Sequence, residues 1–193
     1  MLSAINDVDI KDIIQKYRSK AFQEINLSKP SRPKIRRKDL TLDMILHSIR
    51  REWFSKVSSD DVDYVYAFRL LRFSMEWFGR TIPYITSREA GYRLGLRLVE
   101  HGIVKDLDDM VNVFISKRIG LLDLIKESVN YMRVHIYECI TCSGIPNIGM
   151  CVCDFEAGAL SGLLEKLIGR NIVRERYCWG RGYSFCGFDI YFI

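Results

Sequence analysis

Apolar residues recur at helical spacing through the first two thirds of the chain and then fall into strict alternation. From Asp7 to Ile25, the positions Val8, Ile10, Ile13, Ile14, Tyr17, Ala21, Phe22 and Ile25 predict one amphipathic helix. Pro30 and Pro33 end it. Thr41 can cap a second helix whose Leu42, Ile45, Leu46, Ile49, Trp53 and Val57 share a face. Ser58-Ser59-Asp60-Asp61 caps a third, Asp61 to Phe78, which is apolar around nearly its whole circumference. Such a helix is expected to be buried on several sides, in a core, a dimer interface or around a ligand. A fourth helix, Ser87 to Val99, carries Gly91 and Gly95, small residues that admit a second backbone or a ligand. A fifth runs from Leu107 to Lys117.

Beyond this point Met132, Val134 and Ile136 alternate with Arg133, His135 and Tyr137, the pattern of a half-buried strand within Val129–Glu138. Gly120 to Lys126 is its expected hairpin partner, and a turn follows at Gly144–Gly149. Phe155 to Ile168 reads as a helix closed by Gly169, and two strands, Asn171–Tyr177 and Ser184–Ile193, finish the chain. In the last of them Cys186, Phe188, Ile190 and Phe192 share a face. The expected class is α+β, an antiparallel sheet packed with helices.

Charge adds one feature. Residues 1–39 hold ten Lys/Arg against five Asp/Glu, whereas residues 40–193 hold nineteen of each. Most of the excess lies in residues 29–38, which we read as an exposed linker. It could serve as a basic arm for a protein or nucleic-acid partner on electrostatic grounds alone. The organisation expected is therefore 1–40, a helix and basic linker, and 41–193, the domain proper. No apolar run approaches the roughly 18 residues needed to span a bilayer, and the acidic N-terminus is unlike a secretory signal. A cytoplasmic protein is expected.

In a reducing compartment, clustered cysteines point to metal or redox chemistry. All six (Cys139, Cys142, Cys151, Cys153, Cys178, Cys186) fall in the last 55 residues. Cys153…Glu175-x-x-Cys178-x7-Cys186 supplies three thiolates and a carboxylate, a tetrahedral zinc set with no open position and hence structural rather than catalytic. Cys139-x-x-Cys142 competes as a ligand pair. It follows a strand and does not open a helix, so thioredoxin-like chemistry fits poorly. Cys151 reads as a small packed side chain. His47, His101 and His135 have no partner pattern, and His135 is expected to be a surface or hydrogen-bonded structural residue.

The segment Glu138–Gly149, with Cys153-Asp154-Phe155-Glu156-Ala157-Gly158, Gly162, Gly169, Glu175-x-x-Cys178, Gly182 and Cys186-x-Phe188, resembles the 4-vinyl-reductase-type domain family. The resemblance is close over 129–193 and, through Ala90-Gly91-x-x-x-Gly95, extends to about residue 41. It implies a fold related to Golgi transport-particle subunits, which hold an acyl chain, and to sensor domains of activators that respond to aromatic compounds, commonly as homodimers. In those sensors a similar set binds zinc beside a pocket for small hydrophobic molecules. Carried over, this gives Cys153, Glu175, Cys178 and Cys186 as zinc ligands, although the stretch from Cys153 to Glu175 is slightly shorter here. The pocket is expected along Tyr64, Phe68, Phe73, Met75, Trp77 and Tyr92. The family's name implies a reductase, but there is no Gly-x-Gly-x-x-Gly after a strand and no nucleophile–base pair. The expected function is a zinc-containing, dimeric, small-hydrophobic-molecule-binding module. A purely structural or assembly protein is the alternative.

Overall fold

Four antiparallel strands, in the order β1-β2-β4-β3, organise the computed structural model of the chain, which describes residues 7–74 and 81–193. The helices are α1 (Asp7–Asn26), α2 (Leu42–His47), α3 (Glu52–Val57), α4 (Asp61–Ser74), α5 (Thr81–Glu100), α6 (Leu107–Ser116) and α7 (Asp154–Leu167). The strands are β1 (Leu121–Lys126), β2 (Tyr131–Tyr137), β3 (Asn171–Tyr177) and β4 (Cys186–Phe192). The α+β expectation holds.

Cross-strand pairing divides the side chains between two faces. Leu122 lies opposite Ile136, which lies opposite Cys186, and Val134 lies opposite Phe188. This face buries Met132, Val134, Ile136, Phe188 and Ile190 against Ala157, Leu160, Leu163 and Leu164 of α7 and Met110 and Phe114 of α6. Helix α5 then packs on α7 at very close range. A Cβ at Gly91 or Gly95 would run into the Phe155 or Ala159 carbonyl, and one at Gly158 or Gly162 into that of Arg88 or Tyr92. The paired glycines thus admit a second backbone, one of the two uses expected of them.

Four local expectations change. The second helix is two short ones, because the main chain leaves helical geometry after His47, and Arg50 N–H bonds the Ser143 carbonyl at 3.1 Å. Helix α4 is not buried all round. Arg69 and Arg72 point inward, while Val62, Leu70 and Leu71 are exposed. Strand β2 is buried on both faces at its end, since α1 lays Ile10, Ile13, Ile14, Tyr17 and Ala21 over Tyr137, Leu121 and Phe185. The expected linker is also partly docked. Arg32 N–H bonds the Gly182 carbonyl (3.2 Å) and Ile35 N–H that of Asn147 (2.8 Å). Lys29, Lys34, Arg36 and Lys38 remain exposed.

Candidate metal centre and apolar cleft

Strand β2 ends at a residue with left-handed backbone, Glu138 (φ 51°). That turn sends two neighbouring side chains in opposite directions. The Glu138 carboxylate accepts from the main-chain N–H groups of Trp53 (2.8 Å) and Phe54 (3.1 Å) and from the Tyr17 hydroxyl (2.5 Å). Burial pushes its carboxyl above the usual range, an effect opposed by these donors and by Arg51. Cys139 turns instead toward the main core.

There five sulfurs converge. Cys153 Sγ lies 3.2 Å from Cys142, 3.4 Å from Cys186, 3.7 Å from Cys139 and 3.8 Å from Cys178. Cys142 and Cys186 are 3.0 Å apart. All five are fully buried, and none forms a disulfide. Each comes from a different piece of chain or a tight turn: Cys139 and Cys142 from the loop after β2, Cys153 from the N-cap of α7, Cys178 from the end of β3 and Cys186 from the start of β4. The turn that returns the chain from Cys178 is drawn in by the Gly180 carbonyl, which accepts from Ile148, Gly149 and Met150 N–H. A Cβ at Gly180 would meet the Met150 carbonyl.

Two overlapping groups have ligand atoms within 4.8 Å of one another: Cys153, Glu175, Cys178, Cys186, and Cys139, Cys142, Cys153, Cys186. The structure therefore brings the four expected ligands together and adds the competing Cys-x-x-Cys pair to the same place. Edges of about 3.8 Å are what sulfurs 2.3 Å from a tetrahedral zinc would show. Two carboxylates border the thiols. Glu175 accepts from Cys153 N–H through Oε2 (3.1 Å), while its Oε1 is sealed from solvent and unpartnered. Glu156 accepts from Thr141 and from Cys139 (3.3 Å), with Oε2 likewise unpartnered.

Burial raises both carboxyls well above their ordinary range, and the neighbouring Cys178 and Cys139 add to the effect. Burial also opposes thiolate formation at every sulfur. Bonds from neighbouring thiols nevertheless hold Cys139 and Cys178 low, leaving Cys142, Cys153 and Cys186 high. Such a donor set fits a soft or borderline cation, which replaces protons as the partner of the sulfurs. Cys151 is half-buried near the Glu175 carbonyl (3.8 Å) and belongs to neither group.

Two arginines clamp the loops that carry the thiols. Arg69 is fully buried and donates to the carbonyls of Ile140 (3.1 Å), Ile45 (3.2 Å), Ser48 (2.9 Å) and Ser143 (2.7 Å), so it binds both sides of the Cys139–Cys142 loop. Arg32 donates to Ile145 (2.6 Å), Trp179 (2.7 Å) and Tyr183 (2.9 Å) carbonyls and stacks on Trp179 at 4.4 Å. Sequence patterns single out neither residue, because buried arginines look like surface ones in a periodicity count.

The expected pocket residues are not brought into one cavity. Tyr64 is at the surface under Arg118 (4.4 Å), and Phe73 is in the main core. Tyr92 lines a groove on one side of α5 and bonds Glu165 (3.0 Å). Phe68 lines an almost wholly apolar cleft of about 210 Å³ with Leu71, Arg72, Thr86, Ser87, Ala90 and Phe155. Met75 and Trp77 lie outside the described residues. Arg72 reaches from the cleft wall to Asp154 (3.2 Å), the residue after Cys153. His135 is fully buried, bonded to the Tyr137 hydroxyl at 3.2 Å.

Residues 132–192 match the family model of the vinyl-4-reductase domain. MJ1642 of Methanocaldococcus jannaschii is 32% identical over 126 residues, covering 64% of this chain and 74% of that protein. The chain belongs to the vinyl-4-reductase family. Among solved structures, the phenol-responsive sensory domain of the transcription activator PoxR with phenol is similar at a TM-score of 0.53 and 15% identity, over 66% of this chain and 73% of that one. Trafficking protein particle complex subunit 3 from Naegleria fowleri, covalently bound to palmitic acid, is similar at 0.51 and 12% identity, over 69% and 95% respectively. At these identities the likeness is one of fold. Among the described residues no helix is long and apolar enough to cross a membrane.

Proposed function

We propose that the protein is a cytoplasmic ligand-binding module, a sensor of small hydrophobic molecules rather than an enzyme, whose C-terminal half is braced by zinc on Cys153, Glu175, Cys178 and Cys186. The observation that carries the sensing role is the connection between cleft and cluster. The apolar cleft shares Arg72 and Phe155 with the segment that begins at Cys153, and Arg72 is ion-paired to Asp154. A molecule seated against Phe68 and Phe155 would press on the first turn of α7, which a metal at Cys153 holds in place. An apolar cavity of this size suits a single ring or a short chain. Phenol beside one structural neighbour and a palmitoyl chain on the other support that ligand class.

The exposed Val62, Leu70 and Leu71 of α4 form the surface through which a homodimer would assemble. Lys29, Lys34, Arg36 and Lys38 stay available to an acidic protein or nucleic-acid partner. Calorimetric titration of the zinc-loaded protein with phenol and with short alkyl alcohols tests the reading. One saturable site, lost in Phe68→Glu, is expected. Non-saturable uptake, or binding unchanged in that variant, would remove the sensing role.

A further inference from the structure

The thiols outnumber what one zinc ion can use. A closed structural site takes four ligands, and Cys153, Glu175, Cys178 and Cys186 already supply them. Cys139 and Cys142 are nevertheless fully buried in the same cluster, with Cys142 only 3.0 Å from Cys186 and 3.2 Å from Cys153. Unbonded sulfurs do not pack so closely by preference, and the loop that brings them there is held by a buried arginine. The two ligand groups overlap in just two residues, Cys153 and Cys186.

We propose that the site holds two zinc ions, with Cys153 and Cys186 bridging them. One ion would be completed by Glu175 and Cys178, the other by Cys139 and Cys142. Two tetrahedra sharing the Cys153–Cys186 edge then account for all five fully buried thiols and leave neither metal short of a ligand. The shared edge is 3.4 Å, and the terminal sulfurs Cys139 and Cys178 lie 3.7 and 3.8 Å from Cys153.

Charge supports the count. Five thiolates and one carboxylate carry six negative charges and two divalent ions four positive ones, so two are left over. Arg69 and Arg32 supply two positive charges at the cluster. Both place their guanidinium groups on main-chain carbonyls and not on a carboxylate, and Cys142 acts electrostatically on each of them. Buried cations bound only to carbonyls are costly unless an anion lies near, and a doubly negative cluster provides one. On formation each Cys sulfhydryl loses its proton to solvent and no electron moves.

This inference rests on the zinc reading above, and metal counting separates the two. Elemental analysis and native mass spectrometry of the full chain, purified without chelators from zinc-supplemented cells, are expected to give two zinc ions per chain. One ion would overturn the two-metal site and leave the single brace standing; none would overturn both. Cys139→Ser/Cys142→Ser is expected to retain one ion, and two ions in that variant would also overturn the proposal. Should the variant not fold, cadmium-113 exchange into the wild type provides the test. Two resonances split by coupling through bridging sulfur are expected, and a single or uncoupled signal would sink the bridge. Acid-labile sulfide with iron would likewise overturn it, since inorganic sulfide would then do the bridging.

Discussion

Glu138 and Cys139 are adjacent in sequence, yet they serve two buried polar assemblies that settle their charges on opposite terms. On the α1 side of the sheet, polar groups find partners within the protein. Arg18 bonds Asp123, which accepts from the Tyr137 hydroxyl (3.0 Å), which in turn meets His135. Arg51 pairs with Asp61 (2.9 Å) and caps the Glu138 carbonyl. On the α7 side, five thiols and two carboxylates gather with unpartnered oxygens on Glu156 and Glu175. Buried polar groups are tolerable when paired. The first assembly is complete in itself, while the second is arranged for a cation from outside.

The largest effect expected from that difference comes with metal removal. Structural zinc contributes on the order of 10 kcal/mol of folding free energy in small modules. Chelation should therefore cause loss of the near-ultraviolet signal and a collapse of the melting temperature, restored by zinc. A melting curve indifferent to chelator would erase the contrast between the two assemblies.

Next comes Arg51→Met. It leaves Asp61 buried without its partner and the Glu138 carbonyl without its donor, and breaking a buried pair in this way costs about 3–5 kcal/mol. Urea denaturation should show that loss with metal content unchanged. If the variant also lost metal, the two assemblies would not be independent.

A third test uses pH. Burial lowers the His135 pKa to about 4, Asp123 partly offsetting it, so the folded protein keeps the ring neutral where the unfolded chain, near 6.5, takes a proton. The unfolded state then binds more protons, and stability falls as pH drops from about 6.5 toward 4, by about 3 kcal/mol at most. It is fully present above that window. His135→Gln should flatten this part of the profile, read as the difference between variant and wild type so that acid loss of metal cancels. An unchanged slope would show that the ring is not held neutral.

Much of this was legible in sequence wherever the signal was local. Alternation in 131–137, the Gly169 stop of α7 and the Cys/Glu spacing all predicted what the fold contains. Signals that depended on distant segments were not. The break between α2 and α3 answers to Ser143 and Glu138, about ninety residues downstream. His135 and Tyr137 look solvent-facing until α1, more than a hundred residues upstream, covers them. Helix α4 misleads because three arginine-centred contacts outrank its apolar count: Arg51 on Asp61, Arg69 on four carbonyls and Arg72 on Asp154. The scattering of Tyr64, Phe68, Phe73 and Tyr92 follows from the same inversion.

The smallest effect marks the outer limit of the self-paired assembly. Asp189 on β4 accepts from Tyr131 (2.7 Å) and from Arg176 (2.8 Å) and lies 3.6 Å from Arg133. The carboxylate is nearly buried, but the Arg176 side chain is more than half exposed. Arg176→Ala therefore leaves Asp189 with two partners and opens its place to water, so the loss should stay below about 1 kcal/mol, as for surface pairs generally. A loss several times larger would mean that the carboxylate depends on Arg176 as Asp61 depends on Arg51, and that redundancy of partners does not protect this face of the sheet. A loss near zero, with metal content intact, places the boundary between the costly and the dispensable ion pairs at the point where solvent can reach the charge.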